Sequence, residues 1–146
     1  MKRKYFFLIV CVLLVCASII ALWSNREQPL CSVLPDDVMI SCVTNGYYDG
    51  METHIVCAIP QENIADLFDL TSVKKGTSYK SLPSSCFEIR AKYDNETYII
   101  VVGADNSVSV ASIDELDSGT FWIDTSGKLF EKLYRIHIEN GGIEFP

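Results

Sequence analysis

An uncharged apolar stretch near the start of the chain restricts its folding more than any other feature. The stretch runs for 19 residues from Tyr5 to Trp23 and follows three basic residues at positions 2–4. As a helix it would measure about 28 Å, close to the hydrocarbon thickness of a bilayer, whereas the apolar core of a cleaved signal peptide is usually about 7 to 15 residues long. The stretch therefore predicts a retained transmembrane signal-anchor.

The basic flank predicts the orientation of this anchor, because basic residues stay on the cytoplasmic side and Trp23 suits the far interface. Two alternatives stay open, cleavage after Ala21 and lipidation of Cys16, although neither matches its sequence signature as well. All three place the remaining chain outside the cytoplasm. We expect a cytoplasmic flank at residues 1–4, a membrane span at 5–23, a linker at 24–35 and an extracytoplasmic domain at 36–146.

The exterior part of the chain is strongly acidic. After Trp23 it has 9 basic and 19 acidic residues, which gives a formal charge of −10 with histidine neutral. Such a charge repels nucleic acid and anionic lipid, and it permits basic proteins, cations or neutral ligands as partners. It also keeps a domain soluble, so the charge argues against nucleic-acid binding without identifying a partner.

A predicted hairpin contains two of the six cysteines. Residues 38–44 and 52–59 have the composition of strands, and the turn signals Asn45-Gly46 and Asp49-Gly50 lie between them. A two-residue loop at Asp49-Gly50 would set Cys42 directly opposite Cys57. The two α-carbons would then lie about 5.5 Å apart, inside the usual disulfide range.

An exterior location favours disulfides. If Cys42 pairs with Cys57, then Cys31 and Cys86 pair by elimination. The alternative turn at Asn45-Gly46 would instead set Cys42 opposite Asp49, and four cysteines permit three pairings. The two disulfides are therefore an expectation, with four buried thiols as the alternative.

Hydrophobic periodicity indicates the remaining elements. A helix is predicted over residues 61–70, strands over 86–93, 97–104, 107–113 and 120–123, and a second helix after the cap candidates Asp124, Thr125 and Ser126. Residues 72–85 read as a polar loop. The order ββαββββα predicts an α+β domain, an antiparallel sheet with two helices packed on its apolar face.

The sequence contains no recognisable catalytic pair, metal-ligand set or cofactor motif. Neither His54 nor His137 is spaced to activate a serine or a thiol, and zinc would need several thiols or imidazoles at short intervals. No catalytic residue, metal or cofactor is therefore predicted. Tyr47 and Tyr48, at the predicted hairpin tip, are candidates for partner contact because aromatic rings bury a large area at low entropy cost.

The start MKRKYFFLIV, the Leu34-Pro35 step and the segment GTFWIDTSGKLFEKLY give the chain a recognisable layout. This layout resembles that of small membrane-anchored extracytoplasmic domains from Gram-positive bacteria of the Firmicutes type. The resemblance covers most of the chain, although the lipobox of the lipoprotein members is missing. Because that group has no assigned chemistry, the resemblance implies location and domain type only.

Three functions fit these observations. The leading hypothesis is a membrane-tethered interaction module that binds a protein or an envelope component. A second is a small hydrolase or inhibitor-type domain with a site between the loops at 74–85 and 114–119, which would need a cleft with convergent polar groups. A third is a structural accessory subunit whose anchor packs against another protein in the bilayer.

Overall fold

An eight-stranded antiparallel sheet and three α-helices form the part of the chain that the structure describes. The structure is a computed structural model, and it describes residues 2–48, 52–76, 83–114 and 119–144, without the side chains of residues 2–4, 24, 45–48 and 52–56. The elements are α1 (Lys2–Ser24), β1 (Gln28–Pro29), a 3₁₀ helix (Leu30–Val33), β2 (Met39–Tyr48), β3 (Glu52–Val56), α2 (Gln61–Leu70), β4 (Ser72–Lys75), β5 (Ser85–Tyr93), β6 (Glu96–Gly103), β7 (Ser107–Ser112), β8 (Thr120–Asp124) and α3 (Leu129–Glu139). The predicted α+β class is confirmed.

The strands lie in the order β1-β4-β8-β7-β6-β5-β2-β3. Strands β5 to β8 form the predicted meander, while α2 connects β3 at one edge to β4 near the other. The predicted order lacked β1 and β4, because the sequence suggested a linker and a polar loop there. In β4 only Val73 is buried, so this strand shows no alternation that a sequence pattern could reveal.

One row of paired side chains forms the centre of the core. Val43, Ile89, Ile100 and Val110 occupy neighbouring strands in register, and all four are buried. Partners in register share a face of the sheet, so this row marks the core face. The helices pack onto it with Ile64, Leu67 and Phe68 from α2 and Leu129 and Leu133 from α3.

The chain enters this core soon after α1 ends. Leu30 is completely buried and its N–H donates to the carbonyl of Thr71 at 2.7 Å, which fixes the 3₁₀ helix to the end of α2. Leu34 is also buried. Part of the segment predicted as a linker, residues 24–35, therefore belongs to the folded domain.

The β2–β3 hairpin differs from the predicted register by one residue. Tyr48 pairs with Glu52, which leaves three residues in the connection instead of two. The N–H of Cys57 donates to the carbonyl of Val43 at 3.1 Å. Cys57 therefore lies opposite Val43, and the prediction that it faces Cys42 is wrong.

A β-bulge in β2 inverts its side-chain alternation. Ile40 pairs with Ala91 and Cys42 pairs with Arg90, so Ser41 is the extra residue. The Ser41 hydroxyl donates to the carbonyl of Arg90 at 3.0 Å. Because one inserted residue turns every following side chain to the other face, Ile40 shares the core face with Ala91 while Cys42 shares the outer face with Arg90.

The carboxylate of Asp124 organises the start of α3. It accepts hydrogen bonds from the N–H groups of Lys128 and Leu129, at 2.8 Å each, and from the N–H and hydroxyl of Ser126, at 2.9 and 2.8 Å. Burial alone would raise the pKa of Asp124, but these hydrogen bonds to the charged form lower the pKa below its usual value. Asp124 thus satisfies donors that the helix start leaves without partners.

Replacing this carboxylate should destabilise the domain. We expect Asp124→Asn to lower the free energy of unfolding by about 1 to 2 kcal/mol at neutral pH, because a neutral amide accepts fewer and weaker hydrogen bonds. The measurement is denaturant unfolding of the full chain in detergent micelles. Asp66→Asn, at an exposed position of α2, is the matched control and should change stability little.

The wild type and Asp124→Asn should also differ in how their free energy of unfolding depends on pH. Since the folded-state pKa of Asp124 lies below its unfolded value of about 3.9, its contribution is complete above that value and is lost as the pH falls through the folded-state pKa. Acid destabilisation should therefore be smaller in Asp124→Asn than in the wild type. Equal acid sensitivity in the two proteins would contradict this role.

Candidate functional site

A groove of about 430 Å³ lies between the 3₁₀ helix, the segment that leads into β2, and α2. We call it the acidic groove. It is lined by Cys31, Ser32, Leu34, Pro35, Asp36, Asp37, Val38, Ile40, Ala65, Phe68 and Asp69.

Backbone contacts hold the frame of the acidic groove. The N–H of Leu34 donates to the carbonyl of Cys31 at 3.2 Å, and the Ser32 hydroxyl donates to the carbonyl of Pro29 at 2.7 Å. Asp37 then has a φ of 61°, a left-handed conformation that aspartate adopts more readily than most residues. The wall formed by the 3₁₀ helix and the turn into β2 is therefore a defined structure built on the core through Leu30.

The acidic groove has an apolar floor and an anionic rim. Leu34 and Phe68 are buried in the hydrophobic core beneath it. The carboxylate-bearing residues Asp36, Asp37 and Asp69 are exposed, and none of the lining residues is basic. A ligand that places an apolar group on the floor and a positive charge at the rim would complement both features.

Cys31 is held in its neutral form within this groove. Burial raises the pKa of its thiol, and the hydrogen bond to the Asp69 carboxylate and the negative charge of that group raise it further. Because the thiolate is the reactive form of cysteine, this environment opposes nucleophilic chemistry.

The rim carboxylates do not converge on a common point. Among the described residues, no three histidine, cysteine or acidic side chains are grouped in a way that could hold a metal ion. Asp36, Asp37 and Asp69 therefore do not form a metal-binding group.

The remaining candidate cysteines lie apart from this groove. Cys57 is in the core, and burial, followed by the electrostatic interaction with Cys42, raises the pKa of its thiol to about 12. Cys42 lies on the outer face of the sheet, whereas Cys86 is a buried residue of β5 paired with Gly103. All six cysteines are thiols in the structure, so it forms neither predicted disulfide.

The tyrosines proposed for partner contact can be placed only by their backbone. Tyr47 pairs with Thr53 and Tyr48 pairs with Glu52 at the end of the hairpin. Their side chains lie outside the described part of the structure. The proposal that these rings contact a partner therefore stays a prediction.

A second cavity, of about 340 Å³, touches one of the two loops proposed for a hydrolase-type site. It is lined by Val33, Glu96, Tyr98, Val110, Ala111, Ser112, Asp114, Gly119 and Thr120. The Tyr98 hydroxyl donates to Glu96 at 2.6 Å. None of the described residues of the other loop, 74–76 and 83–85, lines this cavity, and residues 77–82 and 115–118 lie outside the description.

His137 has a structural position. It is buried, its Nδ1 accepts the N–H of Ala58 at 3.1 Å, and its Nε2 donates to the carbonyl of Ile143 at 2.9 Å. These two contacts use a neutral ring and join the end of α3 to the segment before α2. The side chain of His54 lies outside the described part.

The acidic groove was not predicted from the sequence, although one signal for it was visible. Asp36 and Asp37 directly follow Leu34-Pro35, an apolar step in the predicted linker. Asp69 lies far along the chain and reaches the groove only because α2 packs against the 3₁₀ helix.

Comparison with protein-family models, with curated proteins and with solved structures found no match to the chain. The resemblance to the Firmicutes-type anchored domains therefore rests on the layout of the chain.

Cysteine pairing can be checked directly. We expect mass spectrometry of the unreduced, alkylated protein from cells to show no bridge between Cys42 and Cys57, because their side chains lie on opposite faces of the sheet. Reduction and denaturation before alkylation should label all six cysteines and serves as the control. A crosslinked peptide that joins Cys42 to Cys57 would show that the β2–β3 register differs from the one described.

The contact between Cys31 and Asp69 gives a kinetic prediction. Asp69→Asn should accelerate alkylation of Cys31 at mildly alkaline pH, because the substitution removes a charge that raises the pKa of this thiol. The rate is measured on the full chain in detergent, with peptide mapping to identify the modified residue. Asp66→Asn is the control on the same helix, and an equal acceleration by this variant would count against the contact.

Proposed function

We propose that the protein is a membrane-tethered extracytoplasmic binding module. One observation supports the tether above all others: α1 exposes its apolar side chains on every side. Every residue from Tyr5 to Trp23 is exposed, and none of this helix is buried within the protein. Water is a poor solvent for such a helix, whereas a bilayer of matching thickness buries all of its faces.

The distribution of charge supports the proposed orientation. Residues 2–4 are basic and precede the span, which favours a cytoplasmic N-terminus. At the other end, the Arg26 guanidinium lies 4.6 Å from the centre of the Trp23 ring. An indole with a neighbouring cation is typical of the membrane–water interface, so the folded domain would begin just outside it.

The acidic groove supports binding as the activity. It combines a frame held by hydrogen bonds, an apolar floor and three rim carboxylates, and the surroundings of its cysteine raise the pKa of the thiol. The buried histidine outside the groove is occupied by backbone contacts. This combination offers recognition of a positively charged partner and supplies no activated nucleophile at the groove.

Membrane attachment can be tested by cell fractionation. With a C-terminal epitope tag, we expect the full chain to stay in the membrane fraction through high-salt and alkaline washes, and protease added to intact cells should remove the tag. Leu13→Lys combined with Leu14→Lys should abolish stable insertion, because each charge at the centre of a span costs about 2.5 to 3.5 kcal/mol.

Leu13→Ile combined with Leu14→Ile is the matched control and should fractionate as the wild type does. Full-length protein in the soluble fraction, or a tag that is protected until cells are permeabilised, would contradict the proposal. A mature protein whose measured mass corresponds to a chain that starts after Trp23 would still agree with an exterior location, but it would contradict the tether. Replacing residues 5–23 with an unrelated apolar span should leave binding by the domain intact, whereas an accessory subunit would lose its activity.

A further inference from the structure

We infer that the acidic groove receives an exterior segment of another membrane protein, one in which apolar side chains are flanked by lysine or arginine. The inference rests on the proposed function, since it assigns the partner of the tethered module. Three observations about the groove support it: its charge, its floor and its distance from the anchor.

The negative charge of the groove favours an occupant with positive charge. Asp36, Asp37 and Asp69 border it, and no lining residue carries a compensating positive charge. Within the described parts of the chain, no basic side chain forms an ion pair with any of the three. A cationic occupant would pair with carboxylates that the protein itself leaves exposed to water.

The floor of the groove requires an apolar component. Leu34 and Phe68 present core side chains at its base, and the cavity of about 430 Å³ lies within the range of pockets that hold a small ligand or a few side chains. A purely polar polycation would leave this floor uncovered. An occupant with alternating apolar and basic side chains would contact both floor and rim.

The position of the groove places its occupant near the membrane. Only five residues, 25–29, separate α1 from the buried Leu30, and even fully extended they would reach about 18 Å. Cys31, the first lining residue, follows Leu30 directly. A segment that lies close to the surface of the same membrane can reach the groove, whereas the anionic lipid surface itself would repel the rim.

A second copy of this chain is a less suitable occupant, because its exterior part has the same formal charge of −10. Lys74 and Lys75, one exposed basic pair, lie in β4, which is hydrogen-bonded to β8 and contributes Val73 to the core. Inserting this segment into a groove would require breaking the pairing of β4 with β8. A different protein with an accessible basic and apolar segment meets no such obstacle.

Peptide binding to the full chain in detergent micelles tests the inference. The probe is a fluorescent seven-residue peptide that alternates lysine and leucine, compared with one that has serine for leucine and one that has glutamate for lysine. We expect the lysine–leucine peptide to bind at low salt and the other two to bind at least about tenfold more weakly. Binding should also weaken as salt is raised, because the rim charges are exposed and screened.

Two variants and one matched control locate the site. Combining Asp36→Asn, Asp37→Asn and Asp69→Asn should weaken binding about tenfold or more. Combining Asp94→Asn, Glu131→Gln and Glu139→Gln removes the same charge from exposed positions elsewhere and should leave binding unchanged. Ala65→Trp, at an exposed groove position of α2, should block the floor and reduce binding even though all three carboxylates remain.

Each other outcome contradicts the inference. An equal loss of peptide binding in the two triple variants would show that the peptide is attracted to an acidic protein in general. Tight binding of the serine peptide would show that the apolar floor does not contribute to binding. A concentration-dependent dimer that the groove variants disrupt would identify a second copy as the occupant. Failure of the lysine–leucine peptide to bind a protein that fractionates with the membrane would overturn the groove assignment while leaving the tether in place.

Discussion

Burial of Leu30 is the contact that joins the apolar helix α1 to the folded domain. Its side chain is completely enclosed in the core, and its N–H donates to the carbonyl of Thr71 at the end of α2. The chain can therefore extend freely for only a few residues beyond α1 before it is fixed to the sheet and helix. The same contact sets the 3₁₀ helix beside α2, and the acidic groove lies between them. The start of the core and the acidic groove thus both depend on one apolar residue that closely follows α1.

The cysteines show where sequence patterns stop being informative. Alternation within one strand predicted a common face for Ile40 and Cys42, and it failed because the bulge at Ser41 is defined by pairing with Arg90 on a strand far along the chain. The hairpin loop adds a second displacement, since three residues separate the last pair. The change in hairpin register by itself places Cys42 and Cys57 on opposite faces, whereas the bulge places Cys42 on the face opposite to Ile40. Register is a property of two strands, and a single-strand pattern cannot supply it.

Hydrophobic periodicity predicted the features that are determined within a single helix or strand. The bounds of α2 agree with the prediction, because this helix contains an apolar stripe long enough to define its own period. Strands β1 and β4, at one end of the sheet, were missed because they are short and almost entirely exposed. The acidic groove was missed for a related reason: Asp36 and Asp37 precede β2 whereas Asp69 belongs to α2, and only the packing that begins at Leu30 brings them together.

Under the proposed attachment, electrostatics would make a connection this short matter for the acidic groove. The chain after Trp23 has a formal charge of −10, so an anionic surface would repel it. The Debye length at physiological salt is about 8 Å, and the fully extended connection from α1 to Leu30 would reach about 18 Å. Charges at the rim would therefore be nearly screened from such a surface at full extension and repelled by it when the connection is compact. A cationic segment bound in the groove would neutralise the rim and reduce its share of that repulsion.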